Sequence, residues 1–243
     1  MEDAKRSRPL DITYSARKTL WLLGFHNSEE MKKHTFYRMN GIIVASVIIL
    51  LPVLSLTEMV IGEDVVYMEV LHYLLTQVWV VIKLLLYLSY RSKLLILEDF
   101  LRCESLNVHS YEQDHFISTA IRIQKIFIGS LGVIGWMFTL IFGILPLLTE
   151  KSLLVPIWMP IKFETEFWHA YETVYYFILV CIYVSIDSLV LGFVAIATAE
   201  LEILRNNLEN VVVRQESDSY AVQEENIRKR LIGCVIHHNS IIT

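Results

Sequence analysis

The chain has little of what marks a secreted, catalytic or nucleic-acid-binding protein. Met1–Asp11 is crowded with charge, and the first apolar run, Leu20–Phe25, is too short for the core of a secretory leader. The first long span is therefore expected to serve as its own insertion signal. No Asn-x-Ser/Thr sequon occurs, so glycosylation does not report on sidedness. There are only three cysteines: Cys181 falls inside an apolar run, and Cys103 and Cys234 fall in segments assigned below to the cytosol, so no disulfide is expected. No phosphate loop, nucleophile motif or basic aromatic patch is present, which argues against an enzyme and against a nucleic-acid partner. His237 and His238 lie near Cys234, but adjacent helical histidines point about 100° apart and no further ligand joins them. Neither a metal nor any other cofactor is expected, and the two histidines are assigned to helix-end polar contacts in an assembly region.

What the chain has in excess is apolar surface. Of its 243 residues 54% are hydrophobic, and the mean hydropathy is +0.47. Length alone would suggest one or two domains, but the apolar residues are gathered into four blocks, which points to a single multi-span membrane domain. The expected fold class is all-α: a polytopic membrane helical bundle with four spans, at about 39–60, 66–90, 126–149 and 171–197, and helices extended into the cytosol. Pro52 is tolerable within the first span. The third carries Gly129, Gly132, Gly135 and Gly143, a spacing that either allows close helix packing or leaves room for a guest. From Tyr171 to Val213 an apolar half containing Asp187 continues without a breaker into a charged amphipathic half. As one helix it would be about 65 Å long, against about 30 Å of hydrocarbon.

The basic residues alternate along the chain. Lys5, Arg6, Arg8, Arg17, Lys18, Lys32, Lys33 and Arg38 precede the first span, and the link Ile61–Val65 has none. Arg91, Lys93, Arg102, Arg122 and Lys125 separate spans two and three. Only Lys151 and Lys162 follow span three, against Glu150, Glu164 and Glu166; Arg205, Arg214, Arg228, Lys229 and Arg230 follow span four. The positive-inside rule then places the N-terminus and everything after span four in the cytosol. The expected organisation is a cytosolic segment 1–38, a four-span bundle 39–200 and a cytosolic region 201–243 that ends where a fifth span would start. Within 1–38, Tyr14–Phe25 reads as a short amphipathic helix, either lying on the bilayer surface or packed on the bundle.

Lys83 and Asp187 sit at similar depth in helices entering from the outer side. A charge there is costly, so they either pair with each other or reach the headgroups separately. The outer halves of spans two to four supply Tyr73, Thr76, Gln77, Trp136, Thr139, Tyr175, Tyr176, Leu179 and Tyr183, a largely aromatic, uncharged set suited to a small apolar or weakly polar ligand. Taken singly, each of these residues also fits interhelical packing. Beyond span four, Leu201, Leu204, Leu208 and Val211 form a seam for another helix, in this chain or in another subunit.

LWLLGF (residues 20–25), VPIWMP, FWHAYETVYYFILV, IDSLVLGFVAIATAELEILRNNLENV and LIGCVIHHNSI together resemble the insect odorant receptors. That resemblance covers nearly the whole chain and implies a seven-helix, ligand-gated cation channel component, multi-pass in the plasma membrane of sensory neurons. Its implied partners are a small volatile ligand, membrane lipid and a common co-receptor in a hetero-oligomer, a tetramer held by a cytosolic anchor. Glu200–Ile242 would belong to that anchor. The family pattern departs at the end: the chain stops where the fifth helix would begin, so an N-terminal fragment lacking the pore helix is expected. Gustatory receptors share the architecture, and a four-span accessory or scaffold protein is the alternative from another class. A G-protein-coupled receptor is disfavoured by the cytosolic N-terminus.

Overall fold

The computed structural model describes residues 9–26, 35–61, 67–101, 113–149, 157, 165–211 and 220–242. After a 3-10 turn at Pro9–Asp11 come six α-helices: α1 Tyr14–Leu22, α2 Thr35–Ile61, α3 Tyr67–Leu101, α4 Asp114–Thr149, α5 Thr165–Glu209 and α6 Tyr220–Ile242. No strand occurs among the described residues. Four of the helices, α2 to α5, are long and apolar enough to cross a bilayer, and the chain is a multi-pass membrane protein.

The helices outrun the apolar blocks that announce them. α3 continues eleven residues past Tyr90 and α4 begins twelve residues before Ile126. The loop expected at Asn107–Gln113 falls outside the described residues up to residue 112. α5 starts six residues before Tyr171 and runs 45 residues, about 68 Å. It ends at Glu209, four residues before the expected stop. Asn210 there turns its side-chain amide back to the Asn206 carbonyl (3.0 Å), and the valines that follow are poor helix formers. Pro52 lies inside α2 without ending it.

The chain divides into two compact units. The larger comprises Tyr14–Ile96 and Phe127–Leu189, and the smaller comprises Met1–Thr13, Leu97–Ile126 and Val190–Thr243.

In the larger unit, LWLLGF ends α1 with backbone bonds of the Schellman type. Phe25 N–H donates to the Leu20 carbonyl at 2.9 Å and Gly24 N–H to that of Trp21 at 3.0 Å. The motif needs a left-handed residue, and Gly24 supplies it at φ 84°. It also lets the turn press on Gly41 of α2, where a Cβ on either glycine would overlap the other's backbone. Side chains then secure the junction. Asn40 donates to the Leu22 carbonyl at 2.7 Å, Tyr37 donates to the His26 carbonyl at 2.6 Å, and the His26 ring meets the Tyr87 hydroxyl of α3 at 2.8 Å. α1 thus packs on the bundle through Ala16 and Leu20, both buried, while Trp21 and Leu22 remain exposed. Further buried positions follow helical spacing: Val44, Ile48, Leu51 and Leu54 on α2, and Val80, Leu84 and Tyr87 on α3. The outward faces stay apolar, as at Val133, Met137 and Leu140 of α4, which fits hydrocarbon rather than water.

In the smaller unit, Ile117 packs with Ala199 and Ile203, and Ile12 with Leu101 and Ile196. Leu204 and Val211 close on Cys234 of α6, with Ile227 beside them.

Candidate ligand cavity between three membrane helices

Within the larger unit, α3, α4 and α5 border a half-open cavity of about 560 Å³. Each helix contributes one face. From α3 come His72, Tyr73, Thr76, Trp79 and Val80, from α4 Leu131, Gly135, Phe138 and Thr139, and from α5 Tyr176, Leu179, Val180, Tyr183 and Val184. These positions recur every three or four residues, which is why they share a wall. None of the lining residues is Asp, Glu, Lys or Arg. The volume lies within the roughly 300–1,000 Å³ range of small-molecule sites. Gly135 lets α4 and α5 approach, since a Cβ there would run into the Val180 side chain. Nothing lies within 4 Å of a Cβ built at Gly129 or Gly132, so the glycine row is not used uniformly for packing.

The polar groups on the wall are few and partly committed. Thr76 and Thr139 donate to the carbonyls of His72 (3.2 Å) and Gly135 (3.1 Å) on their own helices, which leaves their oxygens as acceptors. Gln77 donates to the Tyr176 hydroxyl at 3.5 Å. No hydrogen bond holds the Tyr183 hydroxyl among the described residues.

Of the nine residues singled out from sequence, Tyr73, Thr76, Thr139, Tyr176, Leu179 and Tyr183 line this cavity. The other three are placed elsewhere. Gln77 is fully buried behind the wall against Tyr176. Tyr175 is also fully buried, edge-on to Tyr176 with ring centroids 5.2 Å apart. Trp136 is largely exposed, packs on Phe177 at 5.1 Å and borders a separate hollow of about 110 Å³ with Gly132 and Cys181. The reason is rotation about the helix: each step turns the side chain by about 100°, so one neighbour of a lining residue can share the wall while the other is carried off it, and Gln77, Tyr175 and Trp136 are on the side carried off. His72, Trp79, Phe138 and Val184 were missed, although three- and four-residue steps from Thr76, Gly135 and Val180 lead to them.

Lys83 and Asp187 meet. The Lys83 ammonium is 2.8 Å and 2.9 Å from the two Asp187 carboxylate oxygens, and the side chains keep only 17% and 28% exposure. The same ammonium stands 3.9 Å from the Tyr183 ring centroid and 5.8 Å from that of Trp79.

Of the seam beyond the fourth span, only half packs within the chain. Leu204 and Val211 are buried with Cys234, while Leu201 and Leu208 are each about half exposed. The stripe that packs on α4 is Ala199 and Ile203 instead. His238 is exposed, and the His237 side chain lies outside the described residues. Among the described residues, no three His, Cys, Asp or Glu side chains gather in a metal-ligating cluster.

Residues 65–243 match the family model described as 7tm Odorant receptor. The fold is similar to that of the solved insect olfactory receptor OR5 from Machilis hrabei, with a TM-score of 0.66 and 16% identity over 95% of this chain and 63% of that one. The same receptor solved in complex with eugenol gives a TM-score of 0.68 at 16% identity, over 96% of this chain and 63% of that one. This chain therefore spans about 63% of the length of the solved receptors it matches. No curated protein matches its sequence.

Proposed function

The chain belongs to the 7tm odorant receptor family, whose members are receptors and not enzymes, and on that premise we propose that its three-helix cavity holds a small volatile ligand. The observation that carries the reading is the cavity itself: about 560 Å³, lined from three spans by aromatic and aliphatic side chains, with a few hydroxyls and no charge. Apolar contact supplies most of the affinity for such a guest, at about 25 cal/mol per Å² of apolar surface removed from water. A receptor of the same fold, though only 16% identical, has been solved with eugenol.

The rest of the proposal follows the charge pattern and the family. The alternation of basic residues supports a cytosolic N-terminus, with 1–38 and 201–243 on the cytosolic side of the 39–200 bundle. The protein acts in the plasma membrane of sensory neurons as part of a ligand-gated cation channel, assembled with a common co-receptor in a tetramer and surrounded by lipid. The half-exposed Leu201 and Leu208, beside the packed Leu204 and Val211, support a role for this region in assembly.

The test is binding to the chain in lipid nanodiscs, followed by volatile-evoked cation current in cells that co-express a co-receptor and a receptor of full family length carrying this sequence. Saturable binding competed among volatiles, together with such current, is the expected result. Absence of saturable binding across a broad panel of volatiles would refute the cavity reading.

A further inference from the structure

The cavity wall contains a device that apolar shape alone does not require. Trp79 and Lys83 are one helical turn apart on α3, and Tyr183 and Asp187 are one turn apart on α5. Trp79 and Tyr183 line the cavity, whereas Lys83 and Asp187 do not. The two charges nevertheless close on each other at 2.8 Å, and the ammonium rests 3.9 Å from the Tyr183 ring centroid. A carboxylate that only neutralised a membrane lysine would need no aromatic ring against the ammonium. Here the ammonium is held by two helices and in turn holds the ring. The contact restrains the Tyr183 ring and with it the position of the hydroxyl oxygen, whose O–H has no hydrogen bond among the described residues and is available to a guest. Thr76 and Thr139 have already given their protons to their own helices.

We infer that Lys83 is a positioning residue for ligand selectivity. Clamped by Asp187, it fixes the Tyr183 phenol as a donor and biases the cavity toward volatiles that carry one hydrogen-bond acceptor, a carbonyl or ether oxygen, over hydrocarbons of the same shape. This rests on the reading of the cavity as a ligand site. It adds a polar criterion that the volume and the apolar lining do not supply. A fixed donor loses less freedom on binding than a mobile one, so the preference falls if the clamp is released even though the phenol remains.

The test compares acetophenone with α-methylstyrene, which replaces the carbonyl oxygen by a methylene and keeps nearly the same size. Binding of each to the chain in nanodiscs is measured by ligand-observed NMR against empty nanodiscs, for wild type, Lys83→Met, Lys83→Arg, Tyr183→Phe and Lys83→Met/Asp187→Leu. Wild type should prefer acetophenone by about three- to tenfold, the worth of one neutral hydrogen bond. Tyr183→Phe should abolish the preference, and Lys83→Met should reduce it without a matching loss for α-methylstyrene. Lys83→Arg, still a cation that stacks on the ring, should retain most of it. The double variant leaves no charge unpaired, so it reports on the clamp even if Lys83→Met alone does not fold, and its preference should be lost as well. Equal loss for both ligands in the lysine variants would mean that Lys83 only supports the fold, and would overturn the inference. So would an undiminished preference in Tyr183→Phe. If neither ligand binds wild type saturably, the cavity reading fails first and the selectivity falls with it; if both bind with no preference, only the selectivity fails.

Discussion

Replacing Asp187 by alanine would leave the Lys83 ammonium on a membrane helix without its counter-ion, and the structure sets the scale of the damage. Both side chains are largely withdrawn from solvent, at 17% and 28% exposure, and the ammonium has two contacts below 3 Å with the carboxylate. Removing one member of a buried pair costs about 3–5 kcal/mol, because the other charge is left uncompensated. Two things reduce that figure here. The residual exposure gives a path for the lysine stem to extend toward headgroups, and the rings of Tyr183 and Trp79 still offer their faces to the cation. A loss of about 2–3 kcal/mol is therefore expected for Asp187→Ala, and a similar loss for Lys83→Ala. Lys83→Met/Asp187→Leu removes both charges and keeps apolar bulk, so it should unfold within about 1 kcal/mol of wild type. The assay is equilibrium unfolding by SDS titration in mixed micelles, followed by tryptophan fluorescence, with the Ala/Ala double variant closing a mutant cycle. A coupling energy of about 2 kcal/mol is predicted. Additivity within about 0.5 kcal/mol would refute the pair as an energetic unit and leave two charges that merely lie close together.

Other consequences are open to measurement. Gly24→Ala puts a side chain at a left-handed φ of 84° and against the Gly41 backbone, and should cost about 1–3 kcal/mol in the same unfolding assay; a change under about 0.5 kcal/mol would contradict the close approach. Thr76→Trp fills cavity space from α3 and should weaken volatile binding by about tenfold or more, equivalent to about 1.4 kcal/mol, with folding retained; undiminished affinity would move the ligand elsewhere. Leu204→Asp buries a charge beside Val211 and Cys234 and should destabilise the chain. Leu208→Asp, at a half-exposed position, should leave folding intact and reduce co-purification with a co-receptor; identical behaviour of the two would argue against the split seam. A glycosylation acceptor inserted after Asp3 should remain unmodified, and its modification would reverse the assigned orientation.

The sequence carried the spans and their number, because twenty or so uncharged residues have few other uses. It carried the ends of the helices poorly. The first turns of α4 are polar at Ser118, Arg122 and Gln124, yet they stay helical because Ile117 packs with Ala199 and Ile203 of α5, a contact no local pattern announces. The leucine spacing beyond Glu200 was real but divided. Leu204 and Val211 found α6, whereas Leu201 and Leu208, one turn and about 50° round, did not. At the cavity the chemistry was legible and the rotation was not. Aromatics and hydroxyls at the right level were easy to name, but Tyr175 and Tyr176 are neighbours, and only packing decides which one turns inward. For Lys83 and Asp187 depth made a pair possible but left separate snorkelling open, and the contact itself is seen only in the structure. Their contact with Tyr183 could not, because it depends on the side-chain torsions at both residues.

Occupation of the space between α3, α4 and α5 by a volatile molecule is what every prediction about the cavity depends on. Photolabelling with 3-trifluoromethyl-3-phenyldiazirine in nanodiscs, read by mass spectrometry of the peptides, tests this directly. Adducts on Tyr73, Tyr176 and Tyr183 that vanish in excess acetophenone are the predicted result. Labelling confined to outward positions such as Val133, Met137 and Leu140, and insensitive to competitor, would contradict it.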